Sequence, residues 1–156
     1  MAIQTPVLAT ADALSVVRAY YAVVADLASS EADLAALLAP ELRVIEHPNA
    51  LIPTGAARNR EQTLAGFAAG KALLAEQSFV IHEAVATAGT VAVRATWSAT
   101  VARDRGGFTA GTRLTAHVAS FLTVRDGRIA RHETFDCYEP FHRDAAAAPP
   151  IDSPAQ

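Results

Sequence analysis

An α+β fold, with helices laid over one face of a curved antiparallel sheet, is what this sequence predicts, and three observations predict it. In the first half, apolar residues recur mainly at helical spacing. From Ser78 onward the period changes to two. The two-period runs are joined by glycine-bearing turns, the pattern of a meander. Helices that come early and hairpins that come late segregate along the chain, which is the α+β arrangement.

After about ten loose residues, Thr10 or Asp12 can cap a first helix over roughly residues 11 to 28. Its apolar positions Leu14, Val17, Tyr21, Val24 and Ala28 follow the three-and-four spacing of a core-facing stripe. Ser29 and Ser30 interrupt it, and Leu34, Leu37 and Leu38 form a short second helix that Pro40 closes. LRVIEH follows as a strand that must stop at Pro48. Asn59 and Gln62 match a capping box for a third helix, with Leu64, Phe67, Ala68 and Leu74 on its buried side. Four strands then read SFVIHEAVATA, TVAVRATWSATVA, TRLTAHVASFLTV and RIARHETFDCY. Gly89, the Gly106-Gly107 loop and Asp126-Gly127 join them, and the last pair is a strong two-residue hairpin signal. No internal repeat is visible. The expected organisation is a loose start over 1–11, one domain over 12–142, and a flexible tail over 143–156 that lacks a periodic apolar face.

Bulk composition narrows the function classes. A chain of 156 residues that is 51% hydrophobic and 19% charged suits one domain with a sizeable core. The net charge of −3 and the scattered Lys and Arg give no footprint for a nucleic-acid backbone. Cys137 is the single cysteine, which leaves no internal disulfide and no Cys-rich metal site and suits a reducing cytoplasm. The first residues carry no basic, apolar leader pattern, and no window approaches a membrane span, so a cytoplasmic protein is expected.

Alternation sorts the strand faces. Leu114, Ala116, Val118, Leu122 and Val124 share one face, with Ser120 the lone polar residue among them. Val91, Val93, Ala95 and Trp97 share another, so Trp97 should point inward. The last strand is ambiguous, because Ile129, Phe135 and Cys137 alternate with His132, Thr134 and Asp136 and either set could be buried. A polar set facing inward would make a polar cavity wall.

The opening helix VVRAYYAVVADL, the segment LRVIEHPNALIPTG leading into a helix, and the closing hairpin FLTVRDGRIARHETFDCYEPF together resemble the nuclear-transport-factor-two-like superfamily over about residues 12 to 140. That superfamily includes SnoaL-like polyketide cyclases, ketosteroid isomerases and limonene epoxide hydrolases. The resemblance implies a cone-shaped curved sheet wrapped around a pocket under N-terminal helices, a cystatin-like α+β barrel. By position it places His47 where the isomerases keep a carboxylate base, Tyr20 on the pocket side of the first helix, Ser120 at a polar or oxyanion-binding position, and His132, Thr134 and Asp136 on the pocket side of the last strand. Two departures stand out. Thr134 occupies the place of the catalytic Asp of the cyclases and epoxide hydrolases, and Trp97 and Ala99 replace an Arg and an Asp of the latter.

The implied function is a cofactor-free enzyme that acts on a small, mostly apolar carbonyl- or hydroxyl-bearing molecule by proton transfer, as an isomerase or a polyketide cyclase does. His47 would be the general base, Asp136 would orient it, and Tyr20 or Ser120 would donate to the oxygen that gains negative charge. Trp97, Leu122, Ser120, His132 and Thr134 would contact the substrate. The alternatives are a non-catalytic binding or dimerisation module and an epoxide hydrolase with a rearranged site. A metal held by His47, His132 and Asp136 is disfavoured, because strand residues four apart lie about 13 Å from each other whereas ligands converge within about 2.2 Å of an ion. No phosphate loop or nucleophile elbow is present. His82 and His117 fall on outward faces. A homodimer is expected through the outer sheet face, where Arg113, Thr115, His117, Phe121 and Thr123 leave a part-apolar surface. The expected partners are thus a small-molecule ligand and a second copy of the chain, with no nucleic acid and no membrane.

Overall fold

The computed structural model describes residues 7–144, with side chains described from Ala13 onward. The expected α+β class is observed. Helices α1 (Val7–Ala25), α2 (Glu31–Leu37) and α3 (Arg60–Leu73) accompany strands β1 (Leu38–Glu46), β2 (Ala56–Arg58), β3 (Leu74–Thr87), β4 (Thr90–Val101), β5 (Arg113–Arg125) and β6 (Arg128–Tyr138). Residues 1–6 and 145–156, which hold most of the two segments expected to be loose, lie outside the described residues. The adjoining residues are ordered into the fold. α1 already runs from Val7, and Asp144 N–H donates to Gly107 O at 2.8 Å while Arg143 Nε–H donates to Gly106 O at 2.9 Å.

The helix starts follow their caps. Ser30 accepts from Asp33 N–H and its own N–H donates to the Asp33 carboxylate, a reciprocal pair that opens α2. Asn59 and Gln62 do the same for α3, as the sequence predicts. α2 ends at Leu37, and the chain turns directly into β1, which carries Pro40. A proline ring is compatible with extended backbone, and its missing N–H falls where the β1–β6 register shifts between Leu38 and Arg43, so no ladder bond is lost there.

The six strands form one sheet in the order β2-β1-β6-β5-β4-β3. β3 to β6 are the expected antiparallel meander, and Asp126 and Gly127 both take positive φ in the last hairpin, at 50° and 71°. The sheet is nevertheless mixed rather than antiparallel throughout, because β1 lies parallel to β6. A parallel neighbour needs a long crossover, and here β2, α3 and the three strands β3 to β5 supply it. β2, only three residues long, had no readable period and caps the edge beside β1.

The helices bury one face of this sheet. Val17, Leu34, Leu38, Val91, Leu122 and Ile129 are fully enclosed between the layers. A smaller cluster of Val101, Phe108 and Leu114 closes the far end, and Trp97 packs against both groups.

The turn that leads from β1 to β2 depends on Gly55. Its φ is +67°, and a Cβ there would sit 2.7 Å from Glu46 O and 3.1 Å from the Pro48 ring. A left-handed conformation costs an L-residue about 1–2 kcal/mol before any clash. Gly55→Ala is expected to lower stability by at least that amount, read as a lower urea midpoint with an unchanged slope.

Candidate functional site

β6 owes its inner face to one extra residue. Thr123 pairs with Arg131 but Val124 pairs with Ile129, so Ala130 is a β-bulge. Ile129 is enclosed below the bulge. Simple alternation from it would turn Arg131, Glu133 and Phe135 inward, and the bulge reverses that parity. His132 and Thr134 are therefore buried, with Asp136 half-buried on the same side, while Phe135 and Cys137 face outward.

The inward side chains join with neighbours from α1 and β5. Tyr20 Oη lies 3.3 Å from His132 Nδ1, and His132 Nε2 lies 3.3 Å from Ser120 Oγ. Ser120 donates to Thr134 Oγ1 at 3.0 Å, and Thr134 donates to Asp136 Oδ1 at 2.7 Å. A continuous run of hydrogen bonds thus links a helix to a carboxylate through the core. Burial pushes the His132 imidazole down to about 4 and keeps it neutral, and it pushes the Tyr20 hydroxyl well above its usual range. Asp136 is raised, chiefly by burial; the Thr134 bond opposes this and the charge of Glu46 adds to it.

Glu46 is a site residue that the sequence reading passed over. It pairs with Thr134 across the parallel ladder, so it shares the inner face, where it accepts from Arg58 Nη1 and from Asn49 Nδ2, each at 2.9 Å. The signal was present in LRVIEH: Leu42 and Val44 are buried, and two further residues along the same face comes Glu46. Tyr138 was also missed. Its hydroxyl is raised by burial first and then by Asp136 and Glu46. Tyr21 lies edge-on to Tyr20, and its buried hydroxyl has no hydrogen-bond partner among the described residues. Burial pushes the Tyr21 hydroxyl up to about 12, against an opposing interaction with nearby Ser120.

His47 is placed differently from the expected dyad with Asp136. Strand alternation turns it to the outer face, where its Nε2 lies 2.8 Å from Glu133 Oε1 and its ring stacks on Phe135 at 4.1 Å. His47 and then Arg131 hold the Glu133 carboxyl below the ordinary range. The structure therefore brings Tyr20, His132, Ser120, Thr134 and Asp136 together and leaves His47 out. Tyr20 and Ser120, expected to donate to a ligand, are engaged with His132 and Thr134 instead. Leu122 is fully enclosed core rather than pocket wall. Trp97 does point inward, edge-on to Tyr138, with its Nε1–H on Gln77 Oε1 at 3.0 Å. His82 and His117 face outward on Thr96 and Glu139, as expected. A depression of about 230 Å³, between Glu76, Ser98, Thr100 and Arg113, is cut into the strands at the β3 end of the sheet, away from His132. Among the described residues no group of three or more His, Cys, Asp or Glu could hold a metal ion, and no helix is long and apolar enough to cross a membrane.

Residues 17–132 match the family model described as the SnoaL-like domain. No curated protein matches. Among solved structures, the chain is similar to IdmH from Streptomyces antibioticus, described as a proposed polyketide cyclase, at 24% identity and a TM-score of 0.64 over 80% of this chain and 91% of that one. It is similar to a proposed SnoaL-like polyketide cyclase from Jannaschia sp. at 16% identity and a TM-score of 0.67, over 85% and 90% of the two chains. An LEH-like epoxide hydrolase of M. tuberculosis matches at 19% identity and a TM-score of 0.58, over 83% and 84%. These likenesses establish the fold, a cone-shaped member of the nuclear-transport-factor-two-like class.

The neutral His132 makes a pH prediction. Its folded value lies below its unfolded one, so the stability it contributes is present above about pH 6.5 and is lost as pH falls toward 4. The full loss is about 3 kcal/mol. Asp136, raised in the fold, opposes part of this at the acid end. Chemical denaturation between pH 7 and pH 4 should show the decline, and His132→Gln should flatten it.

Proposed function

The chain belongs to the SnoaL-like domain family, and from that premise we propose that it is a cofactor-free acid–base enzyme acting on a small, neutral, mostly apolar molecule with an enolisable carbonyl. The observation that carries this reading is Asp136: a half-buried carboxylate, raised by burial, at the end of the buried hydrogen-bonded run. A carboxylate raised in this way is a stronger base, matched to moving a carbon-bound proton near neutral pH. Tyr21 is the donor to the substrate oxygen, because its buried hydroxyl lies beside Ser120 without a formed hydrogen bond, whereas Tyr20 is engaged with His132. Glu46 supplies a second negative charge, and Arg58, the cation beside it, is paired with its carboxylate. Such a face disfavours anionic ligands. Trp97 and Tyr138 supply aromatic walls.

A non-catalytic module is the second reading, favoured by how closely the inner face is packed at Tyr20, Ser120 and Leu122. One experiment separates the two. Deuterium uptake at the α-carbon of a panel of apolar ketones is followed by NMR in D₂O. The wild type is expected to accelerate exchange on at least one member, and Asp136→Asn to lose about 100-fold or more of it, in line with removal of a general base. Exchange that survives in Asp136→Asn would refute the assignment, and a panel bound without exchange would support the module.

We further propose a homodimer through the outer sheet face, with the ligand and a second copy as the partners. Phe121 and Phe135 pack edge-on at 6.4 Å and remain about half exposed, beside the stacked His47. Val80 and Val85 add apolar surface on the same sheet. Light scattering at tens of micromolar should give twice the chain mass, and Phe121→Asp should give the monomer.

A further inference from the structure

The four buried hydrogen bonds between Tyr20 and Asp136 have a direction, and one charge sets it. An ionised carboxylate only accepts, so Thr134 must aim its single hydroxyl hydrogen at Asp136 Oδ1. Thr134 Oγ1 can then only accept, and the hydrogen comes from Ser120. Ser120 has no second hydrogen for His132, so the hydrogen between them belongs to His132 Nε2. A neutral imidazole protonated there has a bare Nδ1, which takes the hydrogen of Tyr20.

We propose that Tyr20, His132, Ser120 and Thr134 form a one-way donor chain, held by the Nε2–H tautomer of His132, that engages Asp136 Oδ1 and leaves Oδ2 as the atom that exchanges protons with the substrate. His132 is a positioning residue in this scheme and never meets the substrate. Imidazole suits the place because it passes a hydrogen bond from a helix hydroxyl to a strand hydroxyl with one acceptor and one donor on opposite sides of a rigid ring. The proposal rests on the reading of Asp136 as the proton-transfer group. The other titratable groups that face Asp136 are Glu46 from β1, Tyr20 and Tyr21 from α1, and Tyr138 from its own strand.

The test needs no substrate. In the full-length ¹⁵N,¹³C-labelled protein at pH 7, His132 should show a protonated Nε2 and a bare, pyridine-like Nδ1, and a protonated Nδ1 would overturn the chain. The Asp136 carboxyl is then titrated by ¹³C NMR. Thr134→Val removes a donor to the ionised form, so Asp136 should bind its proton about tenfold more tightly than in the wild type. His132→Leu, which breaks the chain two links away, should shift the titration in the same direction by less. His132→Gln keeps an acceptor for Tyr20 and a donor for Ser120 and should restore the wild-type titration. An Asp136 titration unchanged in Thr134→Val, or moved equally by the Leu and Gln replacements, would refute the proposal. Loss of the exchange activity in Asp136→Asn is a separate result, so either idea can fail alone.

Discussion

The bulge at Ala130 is the constraint on which the rest of the site depends. A strand has only two faces, and an extra residue exchanges them from that point on. Below the bulge, Ile129 serves the core as any apolar strand residue would. Above it, three polar residues that would otherwise meet solvent are delivered to the interior together. Burying them is affordable only because each finds a partner: His132 between Tyr20 and Ser120, Thr134 between Ser120 and Asp136. Ser120, the one polar residue on an apolar face of β5, stands opposite Thr134 in the ladder for this purpose.

The two faces of β6 carry different electrostatics. Outside, His47, Glu133 and Arg131 form a short surface network that water and salt can screen, and such pairs contribute little to stability. Inside, the one cation the site holds, Arg58, is paired with Glu46 rather than with Asp136, whose own neighbours are hydroxyls, a neutral imidazole and the Glu46 carboxylate. An acid placed there responds to hydrogen-bond geometry and burial more than to ion pairing. Two histidines, His47 just past the end of β1 and His132 on β6, thus end in opposite roles, and the side of the sheet decides between them.

Much of this was legible in the sequence. The change of period near Ser78, the Asp126-Gly127 turn and the Asn59–Gln62 cap locate β3 to β6 and the start of α3 to within a few residues, because local spacing determines them. The parallel β1–β6 pairing was not legible, since strand partners distant in sequence leave no local mark. The parity of β6 could not be read because a bulge leaves the composition unchanged, and family position settled it instead. The exchange of His47 for Glu46 was different in kind. Alternation from Leu42 and Val44 assigns Glu46 inward, but the sequence reading did not apply it to this strand and took His47 instead.

The parallel pairing also orders events in time. β1 meets β6 across β2, α3 and the three strands β3 to β5, so closing that ladder carries the largest loop-closure entropy in the sheet. Glu46 comes beside Thr134 and Asp136 through that ladder alone. The helices and the β3–β5 meander can form without it, but the two carboxylates meet only when the last strand docks. Pairing of β1 with β6 thus closes the sheet and brings Glu46 beside Thr134 in one step.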